Sequence, residues 1–537
     1  MASTAAPTRG ATRPRGRESA PPAWLVVAGG LVALLGILPV VYLLILAGGN
    51  AETAASLVLR DRTLGVLGRT LLLAATVTTA SVLIGVPMAW LTARSDLPGR
   101  RWWTILAILP LVVPSYVGGY AVVAAFGPRG ALQSLLEPFG VQRLPELYGF
   151  PGAALALTLF SYPYVVLSVR GALLRLDPAY EEVSRSLGRG PWRTFLDVTL
   201  PQLRPAITAG ALLVALYSLA DFGAVSLLQF DSFTRAIYVQ YRASFDPTLA
   251  AVLALMLVAC TAGVLFAESR LRGRGRYHRS GPGASRPGRR IRLGAWRWAA
   301  LAFCAAIVGL AVVVPAGTIL FWLSRGLAAG EPFSLVVEPA VNSIIASGLA
   351  ALLAVIASIP VAVLAVRHRG IFGALVERAT YAGFALPGIV IGLAFVFVAA
   401  QYLPFIYQTL PLLLVAYLVR FAPEAVGVTR ASLLQVSPRI EEVARTLGRR
   451  PSAVLREVTL PIIRPGLVAG GALVFLTAMK ELPTTILLAP TGFDTLAVRI
   501  WSTTSEGFFA RAAAPALLML LVAALSLGFV LRGDRDR

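Results

Sequence analysis

Twelve apolar runs, most about 20 residues long, recur along this chain at roughly 23–47, 65–93, 103–126, 151–169, 206–228, 247–267, 296–322, 341–366, 379–402, 405–422, 466–489 and 512–531. A helix of about 20 residues crosses a bilayer's hydrocarbon core. In lipid every backbone polar group must be satisfied internally, so a spanning chain forms helices or a closed barrel. Unbroken apolar runs lack the alternation of a barrel strand. The chain is therefore expected to be all-α and polytopic, with about 12 transmembrane helices. Composition agrees: of 537 residues, 57% are hydrophobic and 14% charged.

Charge orients the spans, because Lys and Arg of short loops concentrate on the cytoplasmic side. With both termini cytoplasmic, the inner segments hold roughly four arginines for every one in the outer loops, whereas acidic residues divide nearly evenly. The net charge of +22 thus follows from topology, and no nucleic-acid partner is needed to explain it. The first run follows Arg9, Arg13, Arg15 and Arg17. Its length favours a retained helix over a cleaved signal peptide. Cys260 and Cys304 lie in different runs and read as small core residues.

A 28-residue segment occurs twice. Residues 178–205 (PAYEEVSRSLGRGPWRTFLDVTLPQLRP) and 438–465 (PRIEEVARTLGRRPSAVLREVTLPIIRP) share fifteen identities at an offset of 260. Matches extend beyond it: Pro87, Arg94, Pro114 and Gly119 pair with Pro360, Arg367, Pro387 and Gly392 at an offset of 273, and Pro151, Pro163 and Arg170 with Pro411, Pro423 and Arg430 at 260. Two homologous halves, 23–267 and 296–537, are expected, preceded by a cytoplasmic tail (1–22) and joined by an Arg-, Gly- and Ser-rich linker (268–295) without apolar periodicity. The linker's arginines suit a positive-inside signal, with anionic lipid headgroups as a second reading.

Within each duplicated loop, Pro178 and Pro438 suit the first turn of a helix. Tyr180, Val183 and Leu187, and Ile440, Val443 and Leu447, set one apolar stripe on it. Glu181 and Arg185, and Glu441 and Arg445, stand in the favourable i, i+4 order, and Gly188 and Gly448 end the helix. Pro201 and Pro461 close the VTLP element, and with Pro205 and Pro465 they are expected to mark a turn back into the membrane. Such a helix either rests on headgroups or docks a partner. The duplicated acidic pairs, Glu181–Glu182 and Glu441–Glu442, disfavour an anionic surface.

The Glu-Glu-Val, Gly and Leu-Pro grammar of the loop resembles that of permeases of bacterial binding-protein-dependent ABC importers, and two copies in one chain resemble a fused permease. The likeness covers nearly everything from residue 65 onward. The loops depart from the usual form at Glu182 and Glu442, where Ala is common, and at the residues that follow, Val183–Ser184 and Val443–Ala444. The resemblance implies a type I importer permease fold. It makes Glu181, Glu182, Arg185, Gly188, Pro201, Glu441, Glu442, Arg445, Gly448 and Pro461 ATPase-coupling residues. It also implies two cytoplasmic ABC ATPase subunits, a periplasmic or lipid-anchored solute-binding protein and residence in the bacterial inner membrane. The sequence has no GxxxxGK[ST] loop, and its only lysine is Lys480, so ATP and Mg are expected on the partner and no cofactor on this chain.

The fifth and eleventh runs end in YSLADFGAVSLL and TAMKELPTTILL, which set Asp221 and Glu481 at equivalent places. Ionisable residues inside spans line pathways or pair with one another. Two carboxylates at a pore suit a hard cation; otherwise each neutralises an arginine or caps a break at Gly223 or Pro483. Asp221, Phe222, Lys480 and Glu481 are the candidate pathway residues, with no firm metal site. The stretches 221–238 and 480–501 resemble the ferric-iron subgroup of fused permeases, whose thiamine, phosphonate and polyamine relatives share parts of the pattern. A major-facilitator secondary transporter is the alternative from another class. A membrane enzyme finds no constellation: the two histidines, His278 and His368, lie in basic loops.

Overall fold

The structure is a computed structural model that describes residues 21–533 except 50, 129, 142–143, 178, 244–246, 272–290, 332–333 and 369. The tail before residue 21, Pro178, His278 and most of the expected linker lie outside the described residues. Among those described the chain is helical, and the only β element is an isolated bridge between Ser95 and Ile291.

Among the described residues nine helices are long and apolar enough to cross a membrane singly, two bent pairs bring the total to eleven, and the last apolar helix, Phe509–Gly533, stands where the twelfth span is expected. The third and ninth spans are not the straight helices expected at 103–126 and 379–402. Arg100–Val112 and Ser115–Phe139 meet at 100°, and Ile371–Ala385 and Gly388–Tyr402 at 105°. Pro114 and Pro387 explain both bends. A proline disfavours the α conformation in the residue before it, and Val113 (ψ 120°) and Leu386 (ψ 130°) are extended. The tenth span runs Leu410–Gln435 rather than 405–422, and the fourth runs Phe150–Arg175. In each, the helix continues past the point where apolar composition ends.

In each half the long second helix (Asp61–Arg94; Ser334–Arg367) packs against the fourth (Phe150–Arg175; Leu410–Gln435) and the fifth (Leu200–Ala220; Leu460–Met479). The first helix of each half crosses to the other. Ala23–Gly48 lies along Ile371–Ala385 and Ser334–Arg367, and a Cβ on Gly36 would sit 2.7 Å from the Ala379 carbonyl oxygen. Small residues allow such close backbone approach in membranes, where packing rather than hydrophobicity drives association. Reciprocally, Trp296–Ala328 and the π turn within it pack on the first half: Cys304 meets Met88, and the Trp322 indole N–H donates to the Ala124 carbonyl at 3.1 Å. One apolar core mixes residues of both halves, among them Leu43, Leu219, Phe233, Ile389 and Tyr417. The halves thus interlock.

Candidate coupling loops and central pathway

The duplicated loops fold alike, each beside the end of the second helix of its half at Arg94 or Arg367. Each begins with a short helix (Ala179–Ser186; Pro438–Thr446). Gly188 (φ 80°) and Gly448 (φ 83°) end it in the left-handed conformation, which costs glycine little. The closure is repeated: the Gly188 and Gly448 amides donate to the Arg185 and Arg445 carbonyls at 2.9 and 3.0 Å, and those of Arg189 and Arg449 to Ser184 and Ala444 at 3.3 and 3.2 Å.

Beyond the glycines the chain restarts as helix at Pro191 and Pro451, passes through π turns at Phe195–Thr199 and Leu455–Thr459, and continues into the membrane to Ala220 and Met479. The expected turn at Leu-Pro is absent, and Pro201, Pro205, Pro461 and Pro465 all sit within continuous helix. A proline inside a helix lacks an N–H and presses on the carbonyl four residues back. Here the π turn relieves that crowding, with the Leu200 and Leu460 amides reaching back five residues to Phe195 and Leu455.

The two glutamates of each pair have different roles. Glu181 and Glu441 turn inward instead of pairing along their own helix. Glu441 accepts from Arg367 Nε at 3.1 Å, lies 3.0 Å from its Nη2, and accepts from the Thr459 hydroxyl at 3.1 Å. Arg367 also donates to the Leu433 and Val436 carbonyls at 3.3 and 2.9 Å, pinning the end of the fourth helix. In the first half Glu181 accepts from Thr199 at 2.9 Å and stands 3.9 Å from Arg94, which donates to the Leu176 carbonyl. Glu182, Arg185, Glu442 and Arg445 point outward beside the apolar stripe, whose tips Leu187 and Leu447 are 75% and 78% exposed. The inner glutamate anchors the helix, and the outer glutamate is exposed. Arg94 and Arg367 were visible as a matched pair in sequence. Their bond to the loop was not, because it links residues more than seventy positions apart.

Asp221 and Glu481 are buried at breaks in the fifth and eleventh spans. Asp221 Oδ1 accepts from the Ala224 and Val225 amides at 3.0 and 3.2 Å, capping the short helix Gly223–Leu227. Glu481 Oε1 accepts from the Thr484 amide and hydroxyl at 3.2 and 2.7 Å, and Oε2 accepts from Arg420 Nε at 2.9 Å. Each carboxylate is occupied within its own half. Half-buried Lys480 closes the helix Leu460–Met479. Phe222 is fully buried in an aromatic cluster shared by the halves, its ring centroid 5.1 Å from Tyr238 and 5.9 Å from Trp501, which donates to Ser226. No group of three or more His, Cys, Asp or Glu side chains suited to a metal ion occurs among the described residues.

Residues 81–272 and 339–535 each match the family described as binding-protein-dependent transport system inner membrane component. The chain belongs to this family. It is 35% identical over 506 residues to the Fe(3+)-transport system permease protein FbpB 2 of Haemophilus influenzae, covering 93% of this chain and 96% of that one. It is 25% identical over 480 residues to the ferric transport system permease protein FbpB of Actinobacillus pleuropneumoniae, covering 85% and 69%. The sulfate transport system permease protein CysT of Escherichia coli is 32% identical over 198 residues, 36% of this chain and 70% of that one. The protein is thus a multi-pass inner-membrane permease component that works with an ATPase and a binding protein, not an enzyme. The secondary-transporter alternative falls away.

Proposed function

We propose that this chain is the complete membrane pathway of an ATP-driven importer for ferric iron. Two ATPase subunits, which bind and hydrolyse ATP with Mg, dock one on each exposed stripe at Tyr180–Leu187 and Ile440–Leu447. The loop end and both termini face the cytoplasm, and a periplasmic or lipid-anchored receptor delivers iron to the opposite face. The matching of the two loops carries this reading: each offers exposed apolar knobs with Glu182 and Arg185, or Glu442 and Arg445, beside them to fix register. The arginine asymmetry supports the orientation, and likeness over nearly the whole chain to an Fe(3+)-transport permease supports the cargo. Thiamine, phosphonate and polyamine remain the alternative cargoes, with no observation in their favour.

In this account nucleotide-driven closure of the ATPases moves the two short helices. Each movement passes to the membrane helices through Glu181–Arg94 and Glu441–Arg367, and through the helices that continue unbroken from Pro191 and Pro451 to the breaks at Asp221 and Glu481. The test is uptake of radioactive ferric iron into proteoliposomes holding the assembled complex. Uptake is expected only with receptor and hydrolysable ATP present, and uptake without either overturns the proposal.

A further inference from the structure

Arg170, near the end of the helix Phe150–Arg175, and Arg430, near the end of Leu410–Gln435, are equivalent at the offset of 260. Arg430 has an acidic partner: its Nε lies 3.1 Å from Glu377 Oε1 on the helix Ile371–Ala385. The first-half counterpart of that helix is Arg100–Ile108, which likewise packs on the fourth helix of its half. At the offset of 273 the place of Glu377 is taken by Thr104, a neutral residue whose hydroxyl donates to the Arg100 carbonyl at 2.8 Å. The first half therefore has the arginine without the acid.

Arg170 is half-buried, and its buried Nε has no hydrogen-bond partner among the described residues. A charged donor left buried and unpaired is costly, so it marks a place for an acceptor. The charged group that bears on it is a second cation, Arg100, one turn before Thr104. Arg101 follows directly, and among the described residues none of these three arginines has an ion pair. The nearby acids are turned elsewhere: Asp96 accepts from the Leu293 amide at 2.9 Å, and Asp177 from the Ala179 amide at 3.0 Å. Guanidinium forks without an acid suit a phosphate. The surroundings indicate what carries it. Exposed apolar side chains flank the arginines on both helices, Trp102 and Ile105 on one, Leu167 and Leu174 on the other. Tryptophan beside arginine at the end of a span belongs to the membrane–water boundary, and basic recesses between spanning helices there take anionic lipid headgroups.

We propose that Arg170, with Arg100 and Arg101 of the adjoining helix, holds the phosphate of an anionic phospholipid at the membrane boundary of the first half, in the place where the second half has Glu377. The exposed leucines offer a bed for its acyl chains. The second half, whose arginine is already paired, has no counterpart of this site. The site does not depend on which cargo the permease carries.

Native mass spectrometry of the purified complex with its ATPase subunits, titrated with phosphatidylglycerol in a neutral detergent, tests the proposal. Thr104→Glu gives the first half the acid of its twin, and is expected to pair with Arg170 and weaken apparent affinity for the lipid at least about tenfold. Arg170→Gln is expected to weaken it as much, and Arg430→Gln, which alters the paired twin, to leave it at the wild-type level. Wild-type lipid binding by Thr104→Glu or Arg170→Gln overturns the proposal, and should either variant fail to assemble, the other decides. A loss in Arg430→Gln equal to that in Arg170→Gln would also overturn it, since binding would then follow overall charge. Inorganic phosphate separates a lipid from a soluble anion. It is expected not to displace phosphatidylglycerol, and displacement at equal concentration would make this a free-phosphate site and overturn the proposal.

Discussion

The two halves share a backbone plan yet solve its interior with different chemistry. In the second half Arg420 pairs with Glu481, and Glu424 bonds to Thr477; the equivalent first-half positions hold Phe160, Asp221, Tyr164 and Tyr217. The loops show the same lean. Arg367 grips Glu441 with two nitrogens at 3.0 and 3.1 Å, while Arg94 reaches Glu181 only at 3.9 Å and leaves its buried Nε without a partner. At the second loop, Pro22, Trp24 and Leu25 at the start of the crossing first helix line the cleft beside Glu441. The outward faces of the two short helices, by contrast, keep Glu182–Val183, Arg185 and Leu187 matched to Glu442–Val443, Arg445 and Leu447. At these positions within the spans the second half carries Arg420, Glu424 and Thr477, where the first carries Phe160, Tyr164 and Tyr217.

That difference is open to attack. The largest effect is expected from Arg367→Ala, which strands the buried Glu441 carboxylate and costs about 3–5 kcal/mol. Arg94→Ala, removing a longer contact, is expected to cost about 1–3 kcal/mol. Thermal unfolding in detergent ranks the two, and equal losses would erase the asymmetry of the loops. Inside the membrane, Glu481→Gln frees Arg420 and is expected to cost about 2–3 kcal/mol. Asp221→Asn keeps an acceptor for the Ala224 and Val225 amides and is expected to cost about 1 kcal/mol. A larger loss from Asp221→Asn would mean that its charge, not its cap, matters.

Where the halves are alike, responses should match. Gly188→Ala and Gly448→Ala each force a left-handed alanine, at about 1–2 kcal/mol. Both should lower ATPase stimulation equally, and a one-sided effect would show that the loops are unequal engines. Phe222→Leu, which removes one partner of the Tyr238–Trp501 cluster, is expected to cost about 0.5–1.5 kcal/mol and should leave assembly of the complex intact.

Much of this organisation was legible in sequence because its signals are local or periodic. Apolar runs mark the spans, Gly188 and Gly448 mark the helix ends, and matches at offsets of 273 and 260 mark the halves. What escaped depends on geometry at a distance. Pro114 and Pro387 were seen as a matched pair, but a proline's local effect does not reveal a bend near 100°. Pro201 and Pro461 suggested turns, whereas a π turn absorbs them within helix. The crossing of the first helix left no periodic trace, since Gly29 and Gly36 look like ordinary membrane filler until Leu364 and Ala379 lie against them.

At the centre stands a division of labour: the outward glutamates meet an ATPase, and the inward ones tie the loops to the membrane helices through Arg94 and Arg367. The most direct measurement is nucleotide hydrolysis by the reconstituted complex carrying Glu182→Lys and Glu442→Lys together. The account predicts a normally folded permease that no longer stimulates its ATPase and no longer drives uptake. Wild-type stimulation by that double variant would contradict it.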